Sequence, residues 1–178
     1  HVTMVTLDVQ GAFDALLKNR LLHRMAQQGW PQRTIHFVDS LLTGRRVQVR
    51  LGQVTTPSYP IACGTPQGSP LSPILYTLYL AELLSMDAER RFGYADDICL
   101  YRASHSMDDN VELLASDLRQ IKAWGEANKV TFAPEKQEMI HLTRQRSNYA
   151  PPCVVDEQLT IYPILPGGEH SQPALRWL

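Results

Sequence analysis

Cysteine is scarce and uninformative in this chain of 178 residues: Cys63, Cys99 and Cys153 are odd in number and far apart. There is no C-x-x-C pair and no histidine at ligand spacing. That argues against a disulfide framework or a zinc site and fits a reducing, intracellular compartment. No stretch reaches the roughly 18 consecutive apolar residues of a membrane span, so no membrane association is expected. The start, HVTMVTLDV, carries neither the basic flank nor the cleavage site of a secretion signal. A surplus of positive charge is missing as well: 17 Lys and Arg stand against 18 Asp and Glu, a formal charge of -1. Nucleic-acid binders are usually basic, because phosphate neutralisation supplies much of the affinity. Either such binding is excluded, or the basic surface lies in parts outside this chain. An initiator Met is also lacking, the first residues already read as a strand, and the end, PALRWL, is apolar. The expectation is an excerpt from something longer. No internal repeat is present.

What is present is enough apolar content, 44%, for a domain with a real core. Val2 to Leu7 is β-branched and apolar, the pattern of a buried strand. Past Gly11, Asp14 is placed to cap a helix on which Phe13, Leu17, Leu21, Leu22 and Met25 repeat until Gly29 and Pro31. A second helix carries Ile35, Val38, Leu41 and Leu42, with Gly44 at its C-terminal cap. In RRVQVRLGQV, Val47, Val49 and Leu51 alternate with Arg46, Gln48 and Arg50, which predicts a half-exposed strand leading to a hairpin at Gly52. Ser69 or Ser72 caps the next helix, buried through Leu75, Leu78 and Leu83, with proline tolerated in its first turn. Ser106 opens a long amphipathic helix with Val111, Leu114, Leu118, Ile121 and Trp124 on one stripe. Val130 to Phe132 and Glu138 to Leu142 read as short strands flanking Pro134-Glu135-Lys136. From Gln145 onward five of the twelve prolines appear, and the chain reads as loop apart from a hairpin around Leu159 to Ile161. With the insertion at 31–60 set aside, the order is a split β-α-β arrangement of the ferredoxin-like kind. The predicted class is α+β, an antiparallel sheet packed on helices. The expected organisation is 1–145 as one domain and 146–178 as a loop-rich segment.

Three segments could carry chemistry. VTLDVQGAFD ends a strand on Asp8; FGYADDICLY sets Asp96 and Asp97 in an apolar hairpin; GTPQGSPLSPILY lies between them as a punctuated helix start. An Asp-Asp pair alone most often marks a solvated turn. A carboxylate at a buried strand end beside such a hairpin favours metal binding instead. Transfer of a nucleotidyl group needs charge neutralised on attacking and leaving oxygens, which two divalent ions about 4 Å apart can do. Mg²⁺ needs only a few protein carboxylates beside water and phosphate. On a regular strand Asp96 and Asp97 would point to opposite faces. A tight turn at Ala95-Asp96 relaxes this, so that Asp96 can face Asp8 with Asp97 nearer the rim.

In this spacing and order the three segments resemble motifs A, B and C of a reverse transcriptase, most closely of the non-LTR, LINE-like retrotransposon type. The resemblance implies a polymerase palm that uses two Mg²⁺, with Mn²⁺ as substitute, to extend a DNA primer on an RNA template with deoxynucleoside triphosphates. It implies Asp8 and Asp96 as principal metal ligands and Asp97 as a supporting acid. It places Phe13 as a steric gate against the ribose 2′-hydroxyl, Gln67 on the incoming nucleotide, and Gly68 against the template-paired base. Val9 falls among the nucleotide-contacting positions, and Lys136 stands at the motif D lysine near the leaving pyrophosphate. Each has a plainer reading: Phe13 as core, Gly68 as a helix-start residue, Lys136 as a solvated turn lysine. Leu175-Arg176-Trp177-Leu178 resembles the start of motif E. The fingers and thumb of such an enzyme are not in the sequence. Rival readings are a group II intron maturase or telomerase-like palm, a non-catalytic remnant serving as an interaction domain, and a nucleotide cyclase, against which the absence of a glycine-rich acidic hairpin speaks.

Overall fold

The structure is a computed structural model and describes residues 1–94, 96–144 and 149–164. It divides into two compact units, one formed by His1–Gln10 with the chain from Leu83 onward, the other by Gly11–Glu82.

The first unit is built on a four-stranded sheet. Its strands in chain order are β1 (Val2–Asp8), β6 (Arg91–Tyr94), β7 (Asp97–Ala103) and β8 (Glu138–Leu142), arranged β6-β7-β1-β8 with every pair antiparallel. This is the ferredoxin-like order expected from the periodicity. Thr3, Val5 and Leu7 are buried at no more than 1% exposure, while Val2, Met4, Thr6 and Asp8 alternate to a half-open face. Val5 is fully buried between Leu100 and Met139, because β1 is an inner strand and not a ragged end.

The long helix α5 (Met107–Asn128) packs on β1 and β7. Its start is the one the sequence predicts: the Ser106 side chain accepts the Asp109 N–H, and Asp108 and Asp109 favour the positive end of the helix. Val111, Leu114, Leu118, Ile121 and Trp124 are all buried. A bidentate pair fixes the helix to β7, with Arg102 Nε and Nη2 donating to Asp117 at 2.7 and 2.6 Å. The helix ends at Lys129 in the left-handed region (φ 57°). Val130 to Phe132 then form no strand, in contrast to the expectation. Only a single bridge joins Phe132 to Val9, and the chain closes into a 3₁₀ turn at Pro134–Lys136. A small hairpin, β9 (Cys153–Val154) with β10 (Thr160–Ile161), lies where one was expected.

In the second unit, α1 (Ala12–Ala15) is a single turn, followed by α2 (Lys18–Gln27) and α3 (Gln32–Leu42). The predicted continuous helix from Phe13 is therefore broken at Leu16. The cause is tertiary: the Phe13 carbonyl accepts the Thr65 N–H at 2.7 Å and the Leu16 carbonyl accepts the Gly64 N–H at 2.8 Å, so neither closes a helical turn. Asp14 is no cap. Gly11 starts the turn at φ 58°, and Asp14 lies inside it. α3 ends as expected, with Gly44 at φ 68°.

Two short ribbons follow, β2 (Arg46–Val47) with β5 (Tyr59–Pro60) and β3 (Arg50–Leu51) with β4 (Val54–Thr55). Here too the sequence misleads: Val47, Val49 and Leu51 are all exposed, so the alternating stretch has no buried face. α4 (Leu71–Ser85) begins after Ser69, whose hydroxyl accepts the Leu71 N–H, while Ser72 lies within the helix. Buried Arg24 of α2 fastens to α4. It donates to the Tyr79 carbonyl and to Glu82, and its guanidinium lies 4.7 Å from the centre of the Tyr79 ring. Among the described residues no helix is long and apolar enough to cross a membrane.

Candidate active site

Antiparallel register brings the acids together. β1 and β7 pair from Val2↔Ala103 to Asp8↔Asp97, so the two carboxylates are direct cross-strand neighbours at one end of the sheet. Directly opposed residues share a face, and here it is the half-open one, away from buried Leu7 and Ile98. It is Asp97, not Asp96, that stands opposite Asp8. Tyr94 pairs with Asp97, which leaves Asp96 in the turn, its carbonyl accepting the Val9 N–H at 3.3 Å. Ala95 lies outside the described residues, as does the Leu175–Leu178 segment that resembles motif E.

Electrostatics ties the group together. Burial pushes the Asp97 carboxyl up, the negative charges of Asp96 and Asp8 add to this, and Lys136 opposes them. Lys136 Nζ donates to Asp8 Oδ2 at 3.0 Å, and that bond, with the charge behind it, raises the lysine in turn. The lysine reaches Asp8 because the 3₁₀ turn is pinned to β1, where Ala133 N–H donates to the Asp8 carbonyl at 3.0 Å. Among the described residues no three His, Cys, Asp or Glu side chains converge as a closed metal-ligand set. What the site offers is an open pair of carboxylates, a third in the adjoining turn, and the Lys136 ammonium on Asp8. That donor set suits a hard divalent ion with several waters and phosphate oxygens of its own. Val9 is buried at 3% exposure, and its N–H is held by the Asp96 carbonyl.

The other predicted residues belong to the second unit. Phe13 is half-buried, its ring 5.5 Å from that of Tyr76 and tilted by 52°. Gln67 and Gly68 are exposed, and Gly68 adopts φ 85°, which only glycine takes readily. Gln67 Nε2 donates to Asp14 Oδ1 at 2.9 Å, so the residue expected to cap a helix instead orients the glutamine. Sequence reasoning also passed over Gly64, the first residue of the GTPQG run. At φ 78° a side chain there would bring its Cβ to 2.8 Å from the Phe13 carbonyl oxygen and 2.9 Å from Asp14 Cα. Two glycines four apart around a proline were the available signal, and only the second was read.

An antiparallel sheet of ferredoxin-like order with the long helix α5 packed on it and acids at one end of its inner strand pair is an α+β palm of the polymerase type. Comparison with known proteins gives the family. The profile described as reverse transcriptase (RNA-dependent DNA polymerase) matches residues 1–175. The chain belongs to that family. It is 27% identical over 157 residues to a probable RNA-directed DNA polymerase from transposon X-element of Drosophila melanogaster, covering 85% of this chain and 17% of that protein. It is 30% identical over 138 residues to the RNA-directed DNA polymerase from mobile element jockey of the same species, covering 73% and 15%. A Pol polyprotein from type-1 retrotransposable element R2 of Popillia japonica is 28% identical over 140 residues, covering 75% and 23%. These are the non-LTR relatives that the motifs indicated. The chain spans less than a quarter of the length of each. Among solved structures, apo telomerase from Candida tropicalis, truncated from its C-terminal domain, superposes with a TM-score of 0.58 at 17% identity, covering 83% of this chain and 32% of that one. Telomerase from the same yeast with a fragment of telomeric RNA gives 0.59 at 14% identity, covering 83% and 27%. They share the fold.

Gly64→Ala should destabilise the protein by about 2–4 kcal/mol, the left-handed strain and the backbone overlap adding. Urea unfolding measures it, and a loss within experimental error of zero would mean that the 63–65 segment does not lie against α1.

Proposed function

We propose that this chain is the palm of an RNA-directed DNA polymerase of a non-LTR element, extending a primer 3′-hydroxyl with deoxynucleotides on an RNA template. The observation that carries the reading is the Asp8↔Asp97 register on the half-open face of the sheet. Asp8, Asp97 and Asp96 would hold divalent ions, Mg²⁺ or Mn²⁺. When bound, two such ions neutralise charge on the attacking and leaving oxygens. Asp8 and Asp97, fixed by the strand ladder, give that site its rigidity, and Asp96 in the turn gives it a ligand with more freedom. Lys136, an exposed cation on a short turn, neutralises charge developing on the pyrophosphate.

In the second unit Phe13 excludes a 2′-hydroxyl by its bulk while Tyr76 supports the ring from behind. Gln67, oriented by Asp14, offers the nucleotide a donor and an acceptor. Gly68 lets backbone approach the base pair without a side chain in the way. What supports these roles is their match to family motifs, the Tyr76 ring against Phe13, and the bond from Gln67 to Asp14.

Primer extension by the full-length parent protein tests both parts. Asp8→Asn and Asp97→Asn should each abolish extension, because each removes a ligand charge while keeping volume; near wild-type synthesis by either folded variant would refute the assignment. Phe13→Ala should raise ribonucleotide incorporation relative to deoxynucleotide, and unchanged discrimination would return Phe13 to a purely structural role.

A further inference from the structure

Phe13 projects from a single helical turn, Ala12–Ala15, which is too short to fix a ring by itself. Its main chain is held from the GTPQG run, where the Phe13 carbonyl accepts the Thr65 N–H at 2.7 Å and the Thr65 hydroxyl at 3.4 Å. Those bonds leave the half-buried ring itself to packing. Tyr76 and Tyr79 lie three residues apart on α4 and so share a face of it. Both are 1% exposed. The Tyr76 ring centre is 5.5 Å from that of Phe13 and 6.2 Å from that of Tyr79, the two tyrosines stacked within 26° of parallel. The Arg24 guanidinium lies over the Tyr79 ring, 4.7 Å from its centre.

Arg24 is a costly residue to place there. It is 5% exposed, and burial holds its guanidinium below the ordinary range, with Glu82 opposing. An apolar side chain of similar length would fill the space without that cost. What the arginine adds is direction: it donates to the Tyr79 carbonyl and to Glu82 Oε2, the latter at 2.8 Å, while its flat face meets the ring. One end of the aromatic stack is thereby tied to α2, and the other end is Phe13.

We infer that Tyr79 and Arg24 are positioning residues for sugar selection, acting on Phe13 through Tyr76. The inference rests on the reading of Phe13 as the gate against a 2′-hydroxyl. A ring excludes that group only while it cannot retreat, and a displacement of about 1 Å is enough to change how a substrate sits. A close-packed interior passes such a displacement on instead of absorbing it. With both tyrosines closed to solvent, a void opened at Arg24 or Tyr79 draws the rings toward it, and Phe13 follows. A ribonucleotide then gains the space it lacked, whereas a deoxynucleotide needs none.

The experiment is single-nucleotide incorporation by the full-length parent protein, with kcat and KM measured for dCTP and for CTP. Circular dichroism and thermal melting of each variant run alongside. Arg24→Met and Tyr79→Leu should each lower the preference for dCTP roughly three- to tenfold, through a lower KM for CTP, with kcat for dCTP within about twofold of wild type. Tyr79→Phe, which keeps the ring, should discriminate as wild type does. Val38→Ala, a truncation in the buried face of α3, should do the same. Unchanged discrimination in folded Arg24→Met and Tyr79→Leu, beside a relaxed Phe13→Ala, would overturn the inference and leave Phe13 as the gate. An equal loss from Val38→Ala would overturn it too, because any loosening of this unit would then have the same effect. Unchanged discrimination in Phe13→Ala would remove the gate and the inference with it. If Arg24→Met does not fold, Tyr79→Leu against Tyr79→Phe decides the matter.

Discussion

The position of β1 in the sheet is the constraint on which the rest depends. Paired on both sides, it buries Thr3, Val5 and Leu7 against the helix-covered side and sends Asp8 to the half-open one. A slip of one residue against β7 would exchange the faces, burying Asp8 and exposing Leu7. Burying a carboxylate without a partner costs several kcal/mol, and exposing a leucine forfeits about 1.5–3 more. The hydrophobic pattern that folds the sheet is therefore the same device that fixes where the acids meet.

Gathering acids carries its own penalty. Burial pushes the Asp97 carboxyl up, and the negative charges of Asp96 and Asp8 add to it. Lys136 offsets part of this from the 3₁₀ turn, and the bond it makes is exposed, which keeps the lysine exchangeable. The second unit has the reverse balance, seven Lys and Arg against three Asp and Glu.

Much of this was legible in the residues. The sheet order followed from the alternation of strand and helix periods, and α5 was readable from its Ser106 cap to its apolar stripe. Where reading failed, tertiary contacts had overridden local pattern. Leu17 and Leu21 continue a helical period through Leu16, and nothing local reveals that Gly64 and Thr65 take the Phe13 and Leu16 carbonyls. Asp14 looks like a cap because its type favours caps, yet its partner is Gln67, 53 positions away. Val47, Val49 and Leu51 alternate as a half-buried strand does, but all three are exposed. The turn at the Asp96-Asp97 pair was legible, but the residues do not fix the cross-strand register: Asp8 pairs with Asp97, and Asp96, expected to face Asp8, stays in the turn.

The central claim is that Asp8 and Asp97, side by side on the sheet, bind a divalent cation in competition with Lys136. Titration of the chain with Mn²⁺, followed by loss of the free-ion electron paramagnetic resonance signal, tests it most directly. Wild type should bind, Asp8→Asn and Asp97→Asn should both lose most of that binding, and Lys136→Gln should bind more tightly than wild type. Equal Mn²⁺ binding by wild type and Asp97→Asn, or weaker binding by Lys136→Gln, would contradict the account.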